Sequence, residues 1–140
     1  MKAKISIIIS LVFVFVVTEL NGQDKLKETE VKSALTEIFD ISNNQNYKLA
    51  ARKFLFDENE IRPYNFENRA EAKTVKRMAK KIKAYLDLSD SYEYESIVFT
   101  EYKNMPSAEL KVNFKSGDQD LTISFYFVDK NGAILLYRFK

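Results

Sequence analysis

No cysteine, histidine or tryptophan occurs in the 140 residues, and there are only three glycines and two prolines. Without cysteine there is no disulfide framework, no thiolate nucleophile and no lipidated lipoprotein anchor. Without histidine, Ser–His and Cys–His nucleophilic mechanisms are excluded. Zinc sites built on imidazole or thiolate are excluded as well. Gly22, Gly117 and Gly132 are too scattered to form a phosphate-cradling loop. Asp118 and Asp120 share one turn, but no full set of oxygen ligands for calcium surrounds them. The sequence therefore predicts no metal, no cofactor and no assignable catalytic residue.

A strong excess of one charge is also missing. There are 22 basic and 20 acidic residues, a net charge of +2. Near-neutrality argues against bulk electrostatic attraction, so no nucleic-acid partner is expected.

What is present begins with one long apolar run, Ile5–Val17, interrupted by Ser6 and Ser10. Lys2 and Lys4 precede it, and Thr18, Glu19, Leu20, Asn21 and Gly22 follow as a polar exit. At 1.5 Å per residue a helix this short falls well under the ~30 Å of a hydrocarbon core. This is the pattern of a secretory signal peptide over residues 1–22, cut after Gly22. Leu20 is larger than the residue usual at its position, and an uncleaved anchor is the alternative. The expected product is one secreted or periplasmic domain, residues 23–140, with no stable membrane anchor after cleavage. Losing Lys2, Lys4 and Glu19 lowers its net charge to +1.

The strongest structural signal lies at the other end. Leu121–Lys140 reads as two strands around Asp129-Lys130-Asn131-Gly132, and an Asn-Gly pair between apolar runs marks a hairpin. A two-residue loop would set Phe125 opposite Arg138. A three-residue loop, Lys130–Gly132, pairs Asp129 with Ala133, Phe127 with Leu135, Phe125 with Tyr137 and Ile123 with Phe139. Burial favours the second register, because a one-residue slip mixes the two faces. That register leaves Tyr126, Val128, Ile134 and Leu136 on the outer face, apolar at the turn end. A neighbouring loop or a second copy of the chain would cover them.

Upstream, Val31, Ala34, Leu35, Ile38 and Phe39 recur at helical spacing, predicting a helix over about 24–41. Tyr47, Ala50, Ala51, Phe54 and Leu55 predict a second, shorter helix, with Asn44 or Asn46 as its cap. Residues 57–66 form a connector with room for a short strand near Ile61. Asn68-Arg69-Ala70-Glu71 resembles a capping box opening a third helix, whose buried stripe is Val75, Met78, Ala79, Ile82 and Leu86. Lys73, Lys76, Arg77, Lys80, Lys81 and Lys83 occupy the rest of that helix. Either they form a solvated flank or they contact an anionic surface. Asp87, Asp90, Glu93, Glu95 and Glu101 are close enough in sequence to balance them. Strands follow over 92–102, 108–115 and the terminal hairpin. Helices followed by consecutive strands read as α+β, with three N-terminal helices packed on a curved, mainly four-stranded antiparallel sheet.

This order of elements, closed by the Asp129-Lys130-Asn131-Gly132 turn and the aromatic strand Ala133–Phe139, resembles the NTF2-like superfamily (a cystatin-like α+β fold). It resembles in particular small secreted bacterial members of unknown function. The resemblance implies a pocket between the helices and the concave sheet face, lined here by Tyr47, Phe54, Phe125 and Tyr137. It also implies dimers through the outer sheet face, here Tyr126, Val128, Ile134 and Leu136. The expected function is a non-catalytic binding or interaction domain, with a homodimer partner and a small amphipathic ligand. The alternative is an enzyme of the superfamily's isomerase or cyclase type, using a carboxylate and a tyrosine. Asp40 and Tyr47 are the nearest candidates for that pair.

Overall fold

A computed structural model describes residues 26–140. The expected signal segment, residues 1–22, and the expected helix start at Asp24 lie outside the described residues.

Helix α1, Glu28–Asn43, buries Val31, Leu35, Ile38 and Phe39, four members of the predicted stripe. A one-turn helix α2, Tyr47–Ala51, starts at Asn46, whose side chain accepts from the Leu49 amide at 3.3 Å. It stops short of Phe54 and Leu55, which the sequence pattern placed in the helix. Both leave it because a sheet edge lies beside them. Phe54 bridges Leu136, the Leu136 amide donates to the Lys53 carbonyl at 2.9 Å, and Leu55 opens strand β1.

Strands β1, Leu55–Asp57, and β2, Ile61–Pro63, form a small antiparallel hairpin. Helix α3, Arg69–Asp87, is capped by Asn68, whose side chain accepts from the amides of Ala70 and Glu71. Its buried residues are Glu71, Val75, Ala79 and Ile82. The reciprocal half of the expected capping box is replaced, since the Glu71 carboxylate binds Arg62 and the Asn65 amide instead.

The main sheet is a meander, β3 (Ser91–Tyr102), β4 (Met105–Ser116), β5 (Gln119–Lys130) and β6 (Ala133–Phe139), in that spatial order. Alternation along β4 puts Ala108, Leu110, Val112 and Phe114 against the helices.

The terminal hairpin corrects the expected register. Lys130 pairs with Ala133 across a two-residue turn, with both Asn131 (φ 54°) and Gly132 (φ 91°) left-handed. That geometry matches the twist of the flanking strands, which is why Asn-Gly favours it over a three-residue loop. The register then shifts between Tyr126 and Phe127, so that Tyr126 faces Arg138 and Phe125 faces Phe139. One extra residue in β6 lets two consecutive side chains, Tyr137 and Arg138, lie on the outer side. Phe139 thereby returns to the helix side and stacks on Phe125 at 5.7 Å. Leu135 and Tyr137, expected inward, face outward with Val128. Ile134 and Leu136, expected outward, belong to the main core.

Candidate binding surfaces

The space between helices and sheet is filled by rings. Phe39 of α1 packs edge-on against Tyr92 at 5.0 Å and Phe125 at 5.6 Å. Phe114 lies 5.6 Å from Tyr85 and 5.9 Å from Tyr92. Offset and edge-to-face contacts at these spacings add to the burial of the rings. Of the four expected pocket residues, Phe54 and Phe125 are buried in this core and Tyr47 packs partly buried against it. Tyr137 is on the other side of the sheet, stacked on Tyr102 at 4.2 Å. The structure thus separates Tyr137 from the other three.

The larger grooves lie elsewhere. One of about 740 Å³ runs between α1 and the start of β6, with Glu30, Glu37, Arg52, Lys53 and Asp129 among its walls. Glu37 and Lys53 pair across it at 3.0 Å. Glu30 and Asp129 accept from the Lys27 and Gly132 amides, and Arg52 forms no ion pair among the described residues.

Two polar clasps hold the β1–β2 hairpin in place. In the first, Arg62 donates to both oxygens of Glu71, at 2.7 and 3.2 Å, and to Glu60 at 2.7 Å. Its guanidinium also sits 4.1 Å above the Phe56 ring. The Arg62 hydrogen bonds, joined by the Asn65 amide at 2.9 Å, hold the Glu71 carboxyl below its ordinary range. In the second clasp, Asp57 accepts from the Tyr102 hydroxyl and from Lys103 Nζ, the latter at 2.6 Å. Burial pushes the Asp57 carboxyl up, but the Lys103 and Tyr102 hydrogen bonds outweigh it and leave it below the usual carboxylate range. The same bond raises the Tyr102 phenol. This carboxylate–tyrosine pair was not foreseen, because its members are 45 residues apart in sequence. Asp40 is exposed and lies on α1, and no hydrogen bond joins it to Tyr47 among those described.

The outer sheet face divides in two. At the turn end, Leu55, Val128 and Leu135 make a second small core flanked by Ile61, Tyr102, Met105 and Tyr137. The chain's own hairpin is therefore the cover over this patch, and Val128 is fully buried. Beyond it, a row crosses all four strands: Val98, Glu109, Tyr126 and Arg138. Val98 is 55% exposed, Tyr126 is half-buried, and Arg138 lies over the Tyr126 ring at 4.3 Å.

The outward face of α3 gathers cations on successive turns. Arg69, Lys73, Lys76, Arg77 and Lys80 are all exposed and share one side of the helix. None forms an ion pair among the described residues, whereas Lys83 pairs with Asp87 at 2.8 Å. Of the other expected counter-charges, Glu93 pairs with Lys115, Asp90 accepts from the Gly117 amide and Glu95 accepts from the Thr122 hydroxyl.

No family model matches the chain, and no curated protein matches it. Among solved structures, the de novo designed NTF2-fold protein NT-9 aligns with a TM-score of 0.52 at 11% identity, covering 81% of this chain and 86% of that one. A variant of Rd1NTF2_05 aligns with a TM-score of 0.47 at 12% identity, over 80% of this chain and 92% of the other. With helices on one side of a four-stranded antiparallel sheet, the chain is α+β and has an NTF2-like fold.

Proposed function

We propose that the protein is an exported, non-catalytic interaction domain that works through its outer surfaces and self-associates through the outer sheet face. The observation that carries this reading is the ring-filled interior. Phe39, Phe114 and Phe125 occupy the space in which a small ligand would otherwise sit. The two carboxylates with shifted protonation, Asp57 and Glu71, are both shifted toward the ionised form. A general base or acid working near neutral pH needs the opposite shift, so this favours binding over catalysis. The cross-strand row supports self-association. It carries an acid at Glu109, a base at Arg138 and the apolar surfaces of Val98 and Tyr126 between and beside them. A two-fold axis lets such a row meet its own copy, acid to base. Export rests on the Lys-flanked apolar leader.

Native mass spectrometry of the exported protein tests all three parts. The expected species is a dimer of chains beginning near Gln23, with no retained small molecule. A chain still carrying residues 1–22 overturns cleavage, a monomer at micromolar concentration overturns self-association, and a stoichiometric co-purifying ligand overturns the filled interior.

A further inference from the structure

We infer that the outward face of α3 docks the protein onto an anionic phospholipid bilayer. Five cations, Arg69, Lys73, Lys76, Arg77 and Lys80, line about 16 Å of one helix side at 1.5 Å per residue. Their exposure and lack of acidic partners decide the matter. A charged residue elsewhere on this surface commonly meets its opposite, as in Glu28–Lys32, Glu37–Lys53 and Glu93–Lys115. Cations without an ion pair occur elsewhere too, as at Arg52, Lys111 and Arg138, but five of them on successive turns of one helix side leave that side with no carboxylate of its own to neutralise it.

The shape and chemistry of the stripe select the partner. It is a line along a convex cylinder, with Ala72 the small apolar residue among the cations, which suits a flat charged plane. Three of the five are lysines, which act as point charges and do not require the fixed bidentate geometry of a single phosphate or carboxylate. The stripe has no Asn or Gln to read a base edge, and the ring beside it, Phe66 at 5.7 Å from Lys76, is packed against the core, so nucleic acid is the poorer fit. None of the described helices is long and apolar enough to cross a membrane, so α3 lies along the surface and does not enter it. A chain delivered through a membrane by its leader also emerges beside such a surface. The leader enters only in this choice of surface, and the binding measurement below does not depend on it.

The test is vesicle co-sedimentation of the exported protein, purified after leader removal. The probes are vesicles of phosphatidylcholine alone and of phosphatidylcholine mixed with phosphatidylglycerol. Binding is expected to the mixed vesicles only, and to fall as salt shortens the screening length from roughly 8 Å at physiological strength to about 3 Å at 1 M. Each neutralised cation is expected to weaken binding about fivefold, the equivalent of about 1 kcal/mol per basic residue at an anionic surface. Lys73→Gln with Lys76→Gln and Lys80→Gln should therefore reduce affinity by about two orders of magnitude. A control with the same change in net charge on other elements, Lys27→Gln with Lys32→Gln and Arg52→Gln, should bind as the parent does. Circular dichroism establishes that both variants are folded. Equal binding to neutral vesicles, equal loss in the control, or stronger binding to duplex DNA than to the mixed vesicles overturns the inference. These outcomes are separate from the dimer and cleavage readouts above.

Discussion

The two sides of the β3–β6 sheet are built by the same alternating strands but are closed in different ways. On the helix side, large rings from α1, α3 and all four strands meet in one continuous core, and Phe125 and Phe127 are fully buried. On the outer side, the buried part shrinks to Leu55, Val128 and Leu135, and a three-residue-per-strand hairpin covers it. A hairpin that small brings few apolar contacts, chiefly through Leu55 and Phe56. Two ionic clasps add to them, Arg62–Glu71 toward α3 and Asp57–Tyr102–Lys103 toward the β3–β4 turn. One side of the sheet thus rests on a large apolar volume, and the other on a small apolar cluster supplemented by hydrogen-bonded charge.

The largest expected effect is on the helix side. Phe125→Ala should lower unfolding free energy by about 3–5 kcal/mol, as truncation of a buried aromatic does. Urea denaturation measures it, and a loss below about 1 kcal/mol would remove the basis for treating this side as the main core. Leu55→Ala on the outer side should cost less, about 2 kcal/mol, because the small cluster leaves fewer neighbours around the cavity. Equal losses at the two positions would erase the distinction.

The smallest effect is in the acid limb. Asp57 and Glu71 have folded-state pKa values below their ordinary ones. Their contribution is present above the unfolded values, about 3.9 and 4.3, and is lost as pH falls through the folded values. Urea midpoints at neutral pH and in that acid window should therefore converge between wild type and the Asp57→Asn variant as pH falls. A gap that stays constant would show that the Asp57 charge does not hold the hairpin.

The parts of the fold that were legible in the sequence are those with a strong local period. Helix α3 shows its buried stripe and its Asn68 cap in the residue order alone, and β4 alternates without a break. That a turn falls within Asp129-Lys130-Asn131-Gly132 was legible too, though its length was read as three residues where it is two. The register was not, because two-residue periodicity has no way to display a surplus residue. With the turn fixed by Asn-Gly and Phe139 required inward, one residue between them had to be absorbed, and only a bulge does that. That reasoning was available in Leu136-Tyr137-Arg138-Phe139, where a strict alternation from the two-residue turn sends Arg138 inward and Phe139 outward. The hairpin clasps were not legible, since Asp57–Tyr102 and Arg62–Glu71 join segments through tertiary placement. The cations of α3 could be counted in the sequence, but their lack of partners required knowing where Glu93 and Asp90 turn.

The surplus residue in β6 also sets which changes of chain length the terminal strand can absorb. Deleting Tyr137 leaves a regular ladder in which Leu136 and Phe139 still point at the helices and Arg138 points at water. Deleting Leu135 consumes the same slack but exchanges the sides of Leu136 and Tyr137, emptying one position of the core and forcing a phenol into it. Two losses of a single amino acid, two positions apart, thus have opposite consequences for the same strand.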